Sequence, residues 1–304
     1  MHSIPTTKSS DATRGLLLGL AGVVMFALSL PMTRLAGGSV EAPQLAPAFV
    51  AFGRAVVAGA LSLLYLAATG ARRPRGDEWR LLALTAAGVV FGWPLLSGLA
   101  VRQVDAVHAA VVSGVLPLAT AVIAALALRQ RPSRAFWGCA LVGLALVVGF
   151  AAWRGAGGLE PADGLLLGAV VCASAGYVSG ARLSGVMSAE QVICWVLVIS
   201  LPATVPLAIA TRPTAPVAPS AWLGFAYVSL FSMWIGFFAW YRGLALGGTL
   251  RVSQVQVLQP FLSMLLAVPL LGERLDAMTL VFAAAVLAVV WVGKRQPVDA
   301  RRAS

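Results

Sequence analysis

Long apolar runs, broken at short intervals by arginine, proline and glycine, dominate the pattern of this chain. Ten runs can be read, at roughly 15–35, 44–69, 79–100, 105–128, 135–152, 162–183, 190–210, 221–245, 249–271 and 275–293, each nearly free of charge. A helix needs about 20 apolar residues to cross a bilayer, and each run is near that length. The connections carry turn and breaker residues, as in Arg72-Arg73-Pro74-Arg75-Gly76, Arg129-Gln130-Arg131-Pro132 and the proline-rich stretch Arg212 to Pro219. The ten-residue alternation of a membrane β-barrel is missing, so the spans are expected to be α-helical. The pattern therefore predicts an all-α polytopic membrane protein with ten transmembrane helices.

Composition removes the alternatives. Of 304 residues, 60% are hydrophobic and 11% charged, with a mean hydropathy of +0.89. A soluble domain carries about 25% charged residues, and a disordered chain needs low hydrophobicity. Ten spans leave only short loops and tails, without room for a second soluble domain. Cys139, Cys172 and Cys194 all fall inside apolar runs and form no CxxC pair, so they are expected to be small core residues. No metal site and no cofactor is expected.

The net charge of +11 raises the question of nucleic acid, but its distribution answers it. With the N-terminus cytoplasmic, the inner segments hold 16 Lys and Arg residues: Lys8, Arg14, Arg72, Arg73, Arg75, Arg80, Arg129, Arg131, Arg134, Arg182, Arg242, Arg251, Lys294, Arg295, Arg301 and Arg302. The outer segments hold five: Arg34, Arg102, Arg154, Arg212 and Arg274. This bias predicts both tails in the cytoplasm, with the lipid bilayer as a partner and no nucleic acid. Trp79, Trp137, Trp240 and Trp291 fall at expected cytoplasmic ends, and Trp153 and Trp222 at outer ends, as interface anchors. Trp93 and Trp234 sit well inside their spans. The first span is too long for a cleaved signal peptide and lacks a convincing cleavage site.

The chain also repeats itself. Gly15-Leu16-Leu17-Leu18-Gly19 opens span one, and Gly164-Leu165-Leu166-Leu167-Gly168 opens span six. Gly98-Leu99-Ala100 closes span three, and Gly243-Leu244-Ala245 closes span eight. Pro117 and Pro260 each precede an arginine, Arg131 and Arg274, by 14 residues. The order is the same in both halves, so 1–152 and 153–304 are expected to be two copies of a five-helix unit. Five is odd, so the copies must be inverted in the membrane. Inverted repeats are the architecture of many secondary carriers, with the substrate site at their interface.

The run Val111 to Phe150 (VVSGVLPLATAVIAALALRQRPSRAFWGCALVGLALVVGF) and the run Gln254 to Val292 (QVQVLQPFLSMLLAVPLLGERLDAMTLVFAAAVLAVVWV) resemble the paired repeat of the EamA family of the drug/metabolite transporter superfamily. Phe52-Gly53-Arg54 is similar to that family's helix-two arginine. The resemblance covers nearly the whole chain. It implies a ten-helix carrier of the bacterial inner membrane with cytoplasmic tails and a small-molecule substrate as partner, usually an exporter of small metabolites such as amino acids or drug-like compounds. One departure stands out: Arg129-Gln130-Arg131 occupies the place that Gly272-Glu273-Arg274 holds in the second repeat, so the first-loop glutamate is missing.

Candidate chemistry is sparse. All eleven acids lie in tails, loops or span ends. Arg54 is the one clear charge within a span, and burying it costs at least a few kcal/mol. It is a candidate anchor for a substrate carboxylate, or else it bonds neighbouring carbonyls or snorkels to the headgroups. In span nine, Ser253, Gln256, Gln259, Pro260 and Ser263 share one face, matched in span four by Ser113, Pro117 and Thr120. These faces are candidates for cavity lining, with Pro117 and Pro260 as helix breaks that gate it; interhelical hydrogen bonding is the alternative. Trp93, Tyr177 and Trp234 are candidates to stack on a substrate. Asp105 and His108, three apart, are expected to share a face and are the candidates for carrying a proton. The glycine pairs Gly15/Gly19 and Gly164/Gly168 are expected to serve close helix packing.

An enzyme is not expected. No GxxxxGK[ST] loop and no HExxH is present. An intramembrane protease or lipid-modifying transferase would have to use His108 with Ser97 or Ser113, without a serine-centred motif. A passive channel would need a continuous polar pore, which one polar stripe per half hardly supplies.

Overall fold

In the computed structural model the described residues are 7–127, 131–155, 158–247, 252–295 and 298–299. Arg129, Gln130, Arg251, Arg301 and Arg302 lie outside them, as do the side chains of Lys8, Arg131, Leu244, Ala245, Ser253 and Lys294. The fold is helical. Eight segments are long and apolar enough to cross a membrane. They are helix one (Asp11–Gly37), two (Pro47–Ala68), three (Glu78–Ala100), four (Ala106–Ala127), five (Arg134–Arg154), six (Pro161–Leu183), seven (Ala189–Ala210) and eight (Pro219–Gly243). Among the described residues, helices nine (Val255–Leu271) and ten (Ala277–Gly293) are apolar but shorter. Helix nine stops at Gly272, whose φ of +68° suits glycine, and it is preceded by and begins within a tight 3-10 stretch, Ser253–Leu258.

Helix starts follow local chemistry. Pro47, Pro161 and Pro219 stand in first turns, where a missing N–H costs nothing. Ser133, Ser188 and Asp276 accept hydrogen bonds from Phe136, Gln191 and Thr279 backbone N–H groups at 3.2, 3.3 and 2.7 Å. Helix six opens on a capping box in which Asp163 Oδ2 accepts from Glu160 N at 2.8 Å.

Several expected continuous helices are interrupted. Helix one turns at Leu28. Helix three widens into a π-helical stretch over Ala87–Gly92, and helix eight does the same over Val228–Ile235. Helix four breaks at Gly114–Val115, just before Leu116-Pro117. The interruptions in three and eight, and those in four and nine, fall at corresponding places in the two halves.

Packing repeats the same correspondence. Helix one lies on eight as six lies on three; four packs on six as nine packs on one; two pairs with seven, four with nine, and five with ten. Exchanging each helix for its counterpart five places along leaves this pattern unchanged. Close approach on the one–eight seam uses Gly19 and Gly243: a Cβ on Gly243 would lie 2.6 Å from Gly19 N. On the three–six seam Gly88 and Gly176 take that part, a Cβ on Gly88 falling 2.3 Å from Cys172 O. Gly164, expected to serve packing, has nothing within 4 Å of the space its Cβ would fill.

The connections sort to two ends. Residues from the one–two, three–four, five–six, seven–eight and nine–ten connections all border one open polar vestibule. At the opposite end Arg72 binds Glu78 in a two-armed pair (2.8 and 2.7 Å) and the Val186 carbonyl (2.9 Å), joining the two–three and six–seven connections. There Arg131–Pro132 also pairs antiparallel with Val298–Asp299, tying the four–five connection to the C-terminal tail.

Candidate functional site

The irregular backbone gathers around one space. A narrow cleft lies between the halves. Helix one contributes Ser29 from just past its turn, and helix three contributes Val89 and Trp93 from its wide stretch and the residue that follows. Ser113 stands before the break in helix four, and Leu116 and Pro117 after it. Helix eight supplies Ser232 from its own π-helical stretch, and helix nine supplies Gln256, Gln259, Pro260 and Ser263 around its proline. Helices two and six add Arg54 and Tyr177, and Phe26 and Phe237 complete an aromatic wall. Non-helical backbone at membrane depth is tolerated where it faces a protein cavity, and a proline frees a carbonyl to face it.

Within the cleft three hydroxyls are tied down. Ser29 Oγ and Ser232 Oγ share a hydrogen bond of 2.7 Å across the halves. Ser113 Oγ donates to the Ala110 carbonyl at 3.1 Å. Arg54 differs. It is 4% exposed, its Nε has no hydrogen-bond partner, and its Nη2 approaches only the thioether of Met233, at 4.0 Å. Ser263 Oγ is likewise buried without a partner. The residues lining the cleft include no carboxylate.

Nine of the residues singled out in the sequence border this cleft: Arg54, Trp93, Ser113, Pro117, Tyr177, Gln256, Gln259, Pro260 and Ser263. Thr120 does not; it bonds the Leu116 carbonyl and Ser174 Oγ. Trp234 is a correction. It packs against Phe238, ring centroids 4.9 Å apart, beside the cluster of helices two, three and seven. Two residues on from Ser232, a side chain points to the other side of a helical turn. Sequence reasoning missed Ser29, Ser232, Phe26 and Phe237, because one serine or phenylalanine in an apolar run carries no signal of its own.

Asp105 and His108 do not pair with each other. His108, 4% exposed, meets Asp163 of helix six, Nε2 to Oδ1 at 2.7 Å, and its ring packs on Phe150. Asp105 instead accepts from Arg154 at 3.4 Å, whose other arm reaches Asp276 at 3.2 Å. Asp105 begins helix four in an extended conformation, which turns its carboxylate outward to the vestibule and away from the helical face of His108. Asp163 is the partner that sequence reasoning left among ordinary loop acids, and Glu273 stood out there only through the Gly272-Glu273-Arg274 motif. Glu273 accepts from the backbone N–H groups of Ala106 and Val107, at 2.8 and 2.7 Å, capping helix four from the nine–ten connection. Burial pushes its carboxyl above the usual carboxylate range, against the pull of those two donors.

The chain matches the EamA-like transporter family over residues 13–151 and again over 161–292. It is 42% identical over 267 residues to a Bacillus subtilis (strain 168) protein named as the uncharacterized transporter YdeK, a span covering 87% of this chain and 91% of the relative. A solved crystal structure, 22% identical, covers 92% of this chain and 98% of its own with a TM-score of 0.62, a likeness of fold. The chain belongs to the EamA-like transporter family and is a membrane transporter.

Proposed function

We propose that the protein is a secondary carrier that moves a small metabolite, such as an amino acid or a drug-like compound, outward by alternating access. Its cleft is the substrate site. In this reading ten helices cross the membrane as two inverted repeats, 1–152 and 153–304, with both tails in the cytoplasm. Trp93 and Tyr177 stack on the substrate body, Ser113, Gln256 and Gln259 offer hydrogen bonds, and Arg54 offers charge. Pro117 and Pro260 are the points at which helices four and nine flex as the halves rock. His108, set against Asp163 near the vestibule, is the titratable group positioned to link this cycle to a proton, with Asp105 beside it.

The observation that carries the reading is the meeting of corresponding discontinuities from both halves around a single cleft. A carrier needs a site that both halves build and either can uncover. The rival enzyme reading would pair His108 with a serine; its partner is Asp163. The channel reading needs an open pore, and the cleft is narrow and lined largely by apolar surface. Counterflow with purified protein in liposomes, against a panel of amino acids, organic acids, cationic drugs and nucleosides, tests it. Saturable exchange of a panel member supports the reading; leak of all members alike favours a channel. Reporter fusions at Gly76 and the C-terminus should read cytoplasmic and one at Ala215 periplasmic, or the orientation is wrong.

A further inference from the structure

The charge inside the cleft has no internal answer. Arginine remains a cation in proteins, so the cleft carries one fixed positive charge. Desolvated charges are ordinarily paired, and this one is met by a thioether and lies among aromatic, hydroxyl and carboxamide groups, none of them anionic. Its Nε is buried and unpartnered, and Ser263 Oγ, also unpartnered, lines the same space. Guanidinium N–H groups form a planar fork that fits the two oxygens of a carboxylate. Among the described residues none that lines the cleft is acidic, so a ligand ammonium group finds no counter-charge there.

Resting on the carrier reading above, we propose that the cleft selects an organic monoanion: a carboxylate that takes the Arg54 fork and the Ser263 hydroxyl, joined to an apolar or aromatic body held by Trp93, Tyr177, Phe26 and Phe237. A free ammonium group is neither required nor favoured. The aromatic faces alone would attract a cation. The fixed charge of Arg54 outweighs that attraction, because full-charge repulsion in a desolvated site exceeds a cation–π contact severalfold. The substrate class thereby narrows from metabolites in general to monocarboxylates, and cationic drugs fall outside it.

The test holds the body constant and changes the head group. Four probes share a phenyl body: 3-phenylpropionate, its neutral amide, zwitterionic phenylalanine and cationic phenethylamine. Binding to the purified full-length protein is read by calorimetry and by the shift in thermal midpoint, and transport by counterflow. The carboxylate should bind about tenfold or more tightly than the amide, since a hydrogen bond to a charged group is lost between them. Phenylalanine should fall between, and phenethylamine should not bind. Arg54→Lys should retain part of the carboxylate preference, and Arg54→Met should abolish the difference between acid and amide. The proposal is overturned if the amine or the amide binds as well as the acid, if none of the four binds at millimolar concentration, or if Arg54→Met keeps the preference. The wild-type head-group series decides the matter even if Arg54→Met does not fold. Saturable counterflow of a cation would sink this inference while leaving the carrier standing; failure of the whole liposome panel would sink the carrier itself.

Discussion

Arg54 and Arg154 are both arginines on apolar helices, and their surroundings treat them in opposite ways. Arg154 closes the end of helix five with one arm on Asp105 and the other on Asp276. Arg54, deeper and almost wholly buried, is offered a sulfur and nothing anionic. The contrast extends to the regions around them. At the vestibule end several charges come with partners: Glu273 caps helix four, Asp163 holds His108, and Arg34 donates to the Val101 carbonyl. In the cleft the one charge waits. Partnered charge fastens helices to one another; unpartnered charge in a closed space is poised for something that arrives from outside.

The strongest way to break this comparison is to remove one charge from each region. Asp163→Ala should cost about 3–5 kcal/mol of stability, because it orphans a buried histidine and strips the cap of helix six. Arg54→Met should leave stability within about 1 kcal/mol or raise it, because an unpaired buried charge gives way to an apolar chain of similar length. Thermal midpoints in one detergent read both. Equal losses would make Arg54 a structural residue. Next in size, Glu273→Gln should cost about 1–2 kcal/mol, since the amide nitrogen that replaces one oxygen cannot accept from a backbone N–H of helix four.

A third experiment sharpens the cleft side. In a background without Cys139, Cys172 and Cys194, cysteines at 256 and 259 should react readily with small water-soluble thiol reagents. Those at 257 and 265 should react far more slowly: Val257 packs on the core, and Leu265 is 59% exposed on an outer face that meets lipid. Equal rates at all four positions would mean that helix nine does not line a wetted space. The smallest effect lies at the opposite end. Arg72 and the Arg75 backbone N–H bind the Glu78 carboxylate at 2.7–2.8 Å. The pair is partly exposed, so it contributes little. Glu78→Gln should therefore lower stability less than Glu273→Gln does, read as the thermal midpoint in the same detergent.

The apolar runs were legible because lipid leaves a crossing helix little choice of residue, so Pro47–Ala68 lies within the run read from the sequence at 44–69. The face shared by Gln256, Gln259 and Pro260 was legible for the same geometric reason, helical spacing. What escaped depends on distance along the chain. His108 finds its partner 55 residues away, and nothing local distinguishes Asp163 from any acid in a first helical turn. Asp105, only three residues off, was the natural local guess, and the extended start of helix four defeats it. Trp234 failed by about half a turn of helix: Ser232, two residues earlier, is the one that faces the cleft, and a sequence does not announce which side of an apolar helix does so. The glycine seams show the same limit, since Gly88 and Gly176 do the packing that the more regular pair Gly164/Gly168 advertised.

The cap that Glu273 places on helix four also bears on biogenesis. The capped amide of Ala106 and the carboxylate it needs are 167 positions apart in synthesis. At about 5–20 residues per second, roughly 10–30 s pass between them. Over that interval the first half is a finished stretch of chain whose fourth helix has open amides, and whose first and third helices still await their partners, eight and six. A newborn N-terminal half is thus held unfinished by design of its contacts, and the ribosome's later product is what closes it.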